Sequence, residues 1–79
     1  MRILDQDLAR PVRNVMLLLT PGEAAELRDT LEQLLANPDG NHGHVSDASY
    51  QREVTVAIYT PENYRNFASD VVALIESDE

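Results

Sequence analysis

Val15-Met16-Leu17-Leu18-Leu19-Thr20-Pro21-Gly22-Glu23 is an uninterrupted apolar run followed at once by a helix-start signal, and the fold class turns on how it is read. Five consecutive apolar residues closed by a turn signal have the form of a β-strand covered on both faces. Thr20 then stands as N-cap, Pro21 as the first helical residue and Glu23 as the third. That is the capping box, in which hydroxyl and carboxylate each satisfy an orphan backbone amide. Downstream, Ala24, Leu27, Leu31, Leu34 and Leu35 recur at spacings of three and four and form one apolar stripe. Glu23, Glu26, Asp29, Glu32 and Gln33 take the wetter side, and Asn37-Pro38-Asp39-Gly40 ends the helix with turn chemistry.

Residues 37–51 are a long connection for so small a chain, so a short strand is expected at residues 44–46, turning near Ala48-Ser49 into the next strand. Residues 52–59 alternate with period two. Val54, Val56 and Ile58 share one face, and Glu53, Thr55, Ala57 and Tyr59 share the other. Thr60-Pro61-Glu62-Asn63 repeats the helix-start signal and predicts a second helix whose buried stripe is Tyr64, Phe67, Ala68, Val71, Leu74 and Ile75. Asn63 stands where the first motif has Glu23, which leaves this capping box incomplete. A shift of forty residues aligns the two motifs without gaps and superposes Leu27 on Phe67, Leu31 on Val71, Leu34 on Leu74 and Leu35 on Ile75. Duplication and convergence both explain this, because Thr-Pro is a common way to begin any helix.

The expected architecture is a single domain over residues 1–79, an α/β fold of α+β type. It is a two-layer sandwich in the order β-α-β-β-α, with a small three-stranded sheet and both helices on one of its faces. The N-terminal segment, residues 1–11, shows no sustained period; an edge strand at residues 2–4 and a short helical turn both fit it. The acidic tail, residues 76–79, puts negative charge at the unfavourable end of the second helix and is expected to fray.

A chain of 79 residues lies near the lower end of what buries a sufficient core alone, so self-association is a live option. Its net charge of −8 opposes binding to nucleic acid or anionic lipid, which are gripped by neutralising cations. The same charge suits a basic protein partner, and it also serves plain solubility. All six cations are arginines, and the absence of cysteine removes disulfides, thiolate catalysis and Cys-based zinc sites. No run approaches the roughly 20 apolar residues of a membrane span. A cytoplasmic protein that uses neither membrane nor nucleic acid is expected.

Catalytic signatures are lacking. There is no glycine-rich phosphate loop, no nucleophile elbow and no lysine, and no enzymatic activity or cofactor is expected. His42, His44 and Asp47 form the one constellation with ligand-like spacing, since two histidines two apart point the same way on a strand. A lone His-x-His is more often a turn feature than a metal site. Two helices on one side of the sheet leave its other side to be covered, either by the N-terminal residues Ile3, Leu4 and Leu8 or by a second protein. The candidate interface is Met16, Leu18, Ala57 and Tyr59, with tyrosine as an anchor among mid-sized apolar neighbours.

Three stretches taken in order, Leu17-Leu18-Leu19-Thr20-Pro21-Gly22-Glu23-Ala24-Ala25-Glu26-Leu27, His42-Gly43-His44-Val45-Ser46-Asp47 and Arg52-Glu53-Val54-Thr55-Val56-Ala57-Ile58-Tyr59, together resemble small immunity proteins of bacterial polymorphic toxin systems. The resemblance spans about residues 15–60 and leaves the second Thr-Pro helix outside it. It implies an α/β module that neutralises a cognate toxin by binding it, and no functional residue carries over. The expected function is a noncatalytic protein-binding module, immunity- or antitoxin-like. The alternatives are a structural homodimer, and a metal- or small-molecule-binding domain built on the His42 and His44 loop.

Overall fold

In a computed structural model that describes residues 1–39 and 42–77, the chain forms β1 (Leu4–Asp5), β2 (Arg10–Pro11), α1 (Pro21–Ala36), β3 (Gly43–Ser46), β4 (Glu53–Val56), a 3-10 turn (Tyr64–Asn66) and α2 (Ser69–Glu76). The fold is α+β, with two helices and two separate two-stranded antiparallel sheets, β1 with β2 and β3 with β4.

The first helix starts as its sequence dictates. The Thr20 hydroxyl accepts from the Glu23 backbone N–H at 3.2 Å, and the Glu23 carboxylate accepts from the Thr20 N–H at 2.9 Å. It stops at Asn37 because Pro38 disfavours helical backbone in the residue before it. Gly40, the remaining part of the expected turn, lies outside the described residues. The β3–β4 hairpin expected from the length of the connection is formed, with Val45 opposite Val54 and His44 opposite Thr55.

α1 lies against β3, and the contact is close because Gly43 has no side chain. A Cβ there would overlap Thr30 Cγ2 and meet Leu34 Cδ1 at 3.9 Å. Among the described residues only Leu34 and Val45 are buried apolar side chains, each 5% exposed. The helix therefore presents Thr30 and Leu34 to the hairpin, while Leu35, on the predicted stripe, is 71% exposed. A radius of gyration of 13.1 Å, against about 11.6 Å for a compact chain of this length, fits so thin a core.

Three expectations are corrected. Residues 15–19 belong to no strand, so the chain does not form the three-stranded sheet or the β-α-β-β-α order. An apolar strand needs a hydrogen-bonded neighbour, and none of the described backbone hydrogen-bonds this segment. The second helix does not run from Pro61. The chain makes a turn and one 3-10 turn, breaks at Phe67 (ψ 170°) and Ala68 (ψ 154°), and only then enters α2. Nor does α2 lie on the hairpin beside α1, since its main neighbour is the 3-10 turn.

The second Thr-Pro motif is nonetheless a full reciprocal cap, because Asn63 does the work of a glutamate. Its Oδ1 accepts from the Thr60 N–H at 2.7 Å, its own N–H donates to the Thr60 hydroxyl at 3.1 Å, and its amide donates to the Ile58 carbonyl at 3.1 Å. Asn63 is 3% exposed, the one buried polar residue among those described. A shorter side chain is better here because it turns back over Thr60 and still reaches Ile58, ending the approach to β4's far side and starting the turn together.

The N-terminal segment is a small hairpin. The Asp5 carboxylate accepts from the Asp7 and Leu8 N–H groups at 3.0 and 3.1 Å, and Ala9 closes the turn at φ 53°. Arg2 reaches the opposite end of the chain, donating to the carbonyls of Leu74 (3.0 Å), Ile75 (3.3 Å) and Ser77 (2.6 Å). It supplies the cation that α2 lacks in its own last turn. Of the tail expected to fray, Asp78 and Glu79 lie outside the described residues.

Two stability measurements follow from this packing. Gly43→Ala is expected to lower the free energy of unfolding by about 1–3 kcal/mol through overpacking, and Thr30→Ser in the same chain is expected to restore most of it, as read by urea denaturation of the four proteins of the cycle. Asn63→Ala is expected to cost about 2–3 kcal/mol, because it strands the Thr60 N–H and the Ile58 carbonyl; an exposed cap change such as Thr20→Ala costs about 1 kcal/mol, and equal losses at the two sites would refute the distinction.

Candidate functional site

The histidine loop forms from the hairpin register. His44 lies opposite Thr55, so its Nδ1 comes within 3.0 Å of the Thr55 hydroxyl and 2.6 Å of the Glu53 carboxylate. The His42 ring meets the His44 ring edge to face, with centroids 5.0 Å apart. Both histidines are exposed.

Asp47 is occupied elsewhere. It receives the Gln51 N–H at 2.9 Å, the Arg52 N–H at 3.2 Å and the Ser49 hydroxyl at 3.2 Å on Oδ1, and the Arg52 guanidinium at 3.1 Å on Oδ2. These donors, the Arg52 backbone N–H foremost, hold its carboxyl below the usual carboxylate range. Asp47 is thus the organiser of the β3–β4 loop, and the structure does not join it to His42 and His44 in a ligand set. Among the described residues no three His, Asp or Glu side chains are placed to hold a metal ion.

Two open clefts flank α1. One, of about 290 Å³, is lined by Thr30, Gln33, Leu34, Asn37, His42 and Gly43. The other, of about 470 Å³, runs along the start of α1 and includes Glu23, Glu26, His44, Asp47 and Tyr50. Neither encloses an apolar chamber of the kind that buries most of a small ligand.

The apolar candidates are far more prominent. Met16 is 81% exposed and Leu18 85%, and Val15 and Leu17 are exposed beside them. No described residue hydrogen-bonds the backbone of residues 14–19, and none of these residues has positive φ, so extended pairing is sterically open to them. Ala57 and Tyr59, the other half of the candidate interface, are also exposed, but they follow β4 and no strand pairing links them to residues 15–19.

Tyr50 is a feature that sequence reasoning missed. Its φ is 55°, in the left-handed region that disfavours bulky residues, and its ring is exposed at the hairpin tip. The Asp47 carbonyl holds it there by accepting the Tyr50 N–H at 3.0 Å. Nothing in the residue order Ser49-Tyr50-Gln51 signals a positive φ; the six-residue loop that Asp47 closes imposes it.

The Asp47 hub makes pH a probe of the loop. Its folded-state carboxyl titrates below its unfolded value of about 3.9, so its contribution is complete above that pH and is lost as pH falls through the lower folded value. In denaturation series at falling pH, Asp47→Asn is therefore expected to be less stable than the parent near neutrality and to converge with it in acid; a constant difference would show that the carboxylate charge does not organise the loop. Compared with protein-family models, curated proteins and solved structures, the chain has no match in any of the three.

Proposed function

We propose that the chain is a noncatalytic protein-binding module and that residues 15–19 are its docking surface. One observation carries this reading: in a run of five consecutive apolar residues, Val15 to Leu18 are exposed and only Leu19 is half-buried, and the backbone amides and carbonyls of the run have no partners among the described residues. An apolar segment in that state gains both hydrophobic burial and a hydrogen-bond ladder when a second strand is laid beside it. Single exposed hydrophobics are ordinary, but a contiguous set with open backbone is an interaction site.

The resemblance to immunity proteins gives the reading its specific form, in which the chain neutralises a toxin by occupying its surface. The net charge of −8 supports a partner with a basic face. Ala57 and Tyr59 form a second, smaller exposed patch, and the exposed Tyr50 adds an aromatic anchor at the hairpin tip.

The test is capture of host protein by immobilised chain from a lysate of the source organism. The parent is expected to retain a stoichiometric partner, and Met16→Asp with Leu18→Asp is expected to lose it while unfolding within about 0.5 kcal/mol of the parent, as exposed substitutions do. No host partner with either protein, or the same host partner with both, would reject residues 15–19 as the docking surface for a foreign protein.

A further inference from the structure

Resting on that reading of residues 15–19, we infer that their occupant includes a second copy of this chain, paired antiparallel about a twofold axis through Leu17. Three independent features of the molecule point to it.

The first is surface area. The chain exposes 6335 Å², whereas a folded monomer of 8.8 kDa exposes about 4,800 Å². The excess, roughly 1,500 Å² per chain, is of the size that each subunit of a stable homodimer hides. The second is self-complementarity. An isologous contact uses the same patch on both copies, and a strand paired with itself about Leu17 sets Met16 against Leu18 on one face, and Val15 against Leu19 on the other. No charged residue lies within the paired stretch, so the high net charge does not oppose the contact directly.

The third is the flanking charge. Arg2, Arg28, Arg52 and Arg65 all have polar partners within the chain, whereas Arg10 and Arg13, just before the apolar run, make no ion pair or hydrogen bond with side chains among the described residues. Antiparallel pairing brings the N-terminal side of one segment to the C-terminal side of the other. Arg13 then lies opposite the partner's Pro21, at the start of the partner subunit's acidic α1. Parallel pairing would set Arg13 against its own copy.

The chain's lack of cysteine makes this testable by position-specific cross-linking. Directly opposed residues in an antiparallel pair have Cα atoms about 4.5–5.5 Å apart, inside the range a disulfide spans. Leu17→Cys is therefore expected to form an intermolecular disulfide rapidly under mild oxidation. Val15→Cys is not, because its twin lies four residues along the strand, about 13 Å away. Val15→Cys with Leu19→Cys in one chain restores cross-linking. Light scattering of the parent from micromolar to submillimolar concentration is expected to show dimer mass, and circular dichroism confirms that each variant folds like the parent. A monomer mass throughout, or equal cross-linking of the Leu17 and Val15 variants, overturns the inference. If the chain is a monomer and Met16→Asp with Leu18→Asp still abolishes host-protein capture, the second copy is excluded and the docking surface stands. If it is a monomer and captures nothing, both fail.

Discussion

The approach of α1 to β3 at Gly43 is the contact on which the rest of the structure depends. A helix and a two-stranded hairpin have little area to share, and here the only buried apolar side chains among the described residues are Leu34 and Val45. α1 and β3 meet because the strand offers no Cβ where the helix offers Thr30, which lets the backbone of β3 settle against the helix surface. A methyl group at that point would lift the hairpin off Leu34, and among the described residues no second buried apolar cluster would compensate. The hairpin so held carries His44 beside Glu53 and the loop that Asp47 gathers.

Around that thin core the chain is held together by polar closures. The Thr20 and Glu23 pair begins α1, the Thr60 and Asn63 pair redirects the chain after β4, Asp47 gathers the hairpin loop, and Arg2 ties the first residues to the end of α2. Each satisfies backbone groups that would otherwise have to find water, and each is local or made by one long side chain. Such closures define geometry well and bury little apolar surface. That combination explains why so much hydrophobic surface remains outside, which is the observation the proposed protein-binding role rests on.

Local chemistry was legible in the sequence and long-range placement was not. Thr20-Pro21-Gly22-Glu23 specifies its cap because all the partners lie within one helical turn. The alternation across residues 52–59 specifies a strand for the same reason, although β4 ends at Val56, where the hairpin partner runs out. The apolar run at residues 15–19 has strand chemistry without a strand, because a strand is completed by a neighbour and the neighbour is a tertiary matter. Likewise, Met16 and Leu18 are singled out by the sequence with Ala57 and Tyr59 as the uncovered face of one sheet, and because residues 15–19 join no sheet among the described residues, that shared face is not formed by strand pairing.

The sequence by itself determined the start of α1 at Thr20-Pro21, a short strand near residues 44–46 turning into the strand that follows, the acidic surface and the absence of a recognised catalytic motif, since each of these is set by neighbours along the chain or by composition. The tertiary structure alone decided that Asn63 replaces glutamate as a buried cap, that Asp47 serves the loop and not a ligand set with His42 and His44, and that Tyr50 is held at positive φ. It also decided that residues 15–19 stand outside both sheets. These depend on which groups meet across space, and a one-dimensional pattern of apolar and polar residues does not encode whether a strand-forming segment finds its partner within the chain or beyond it.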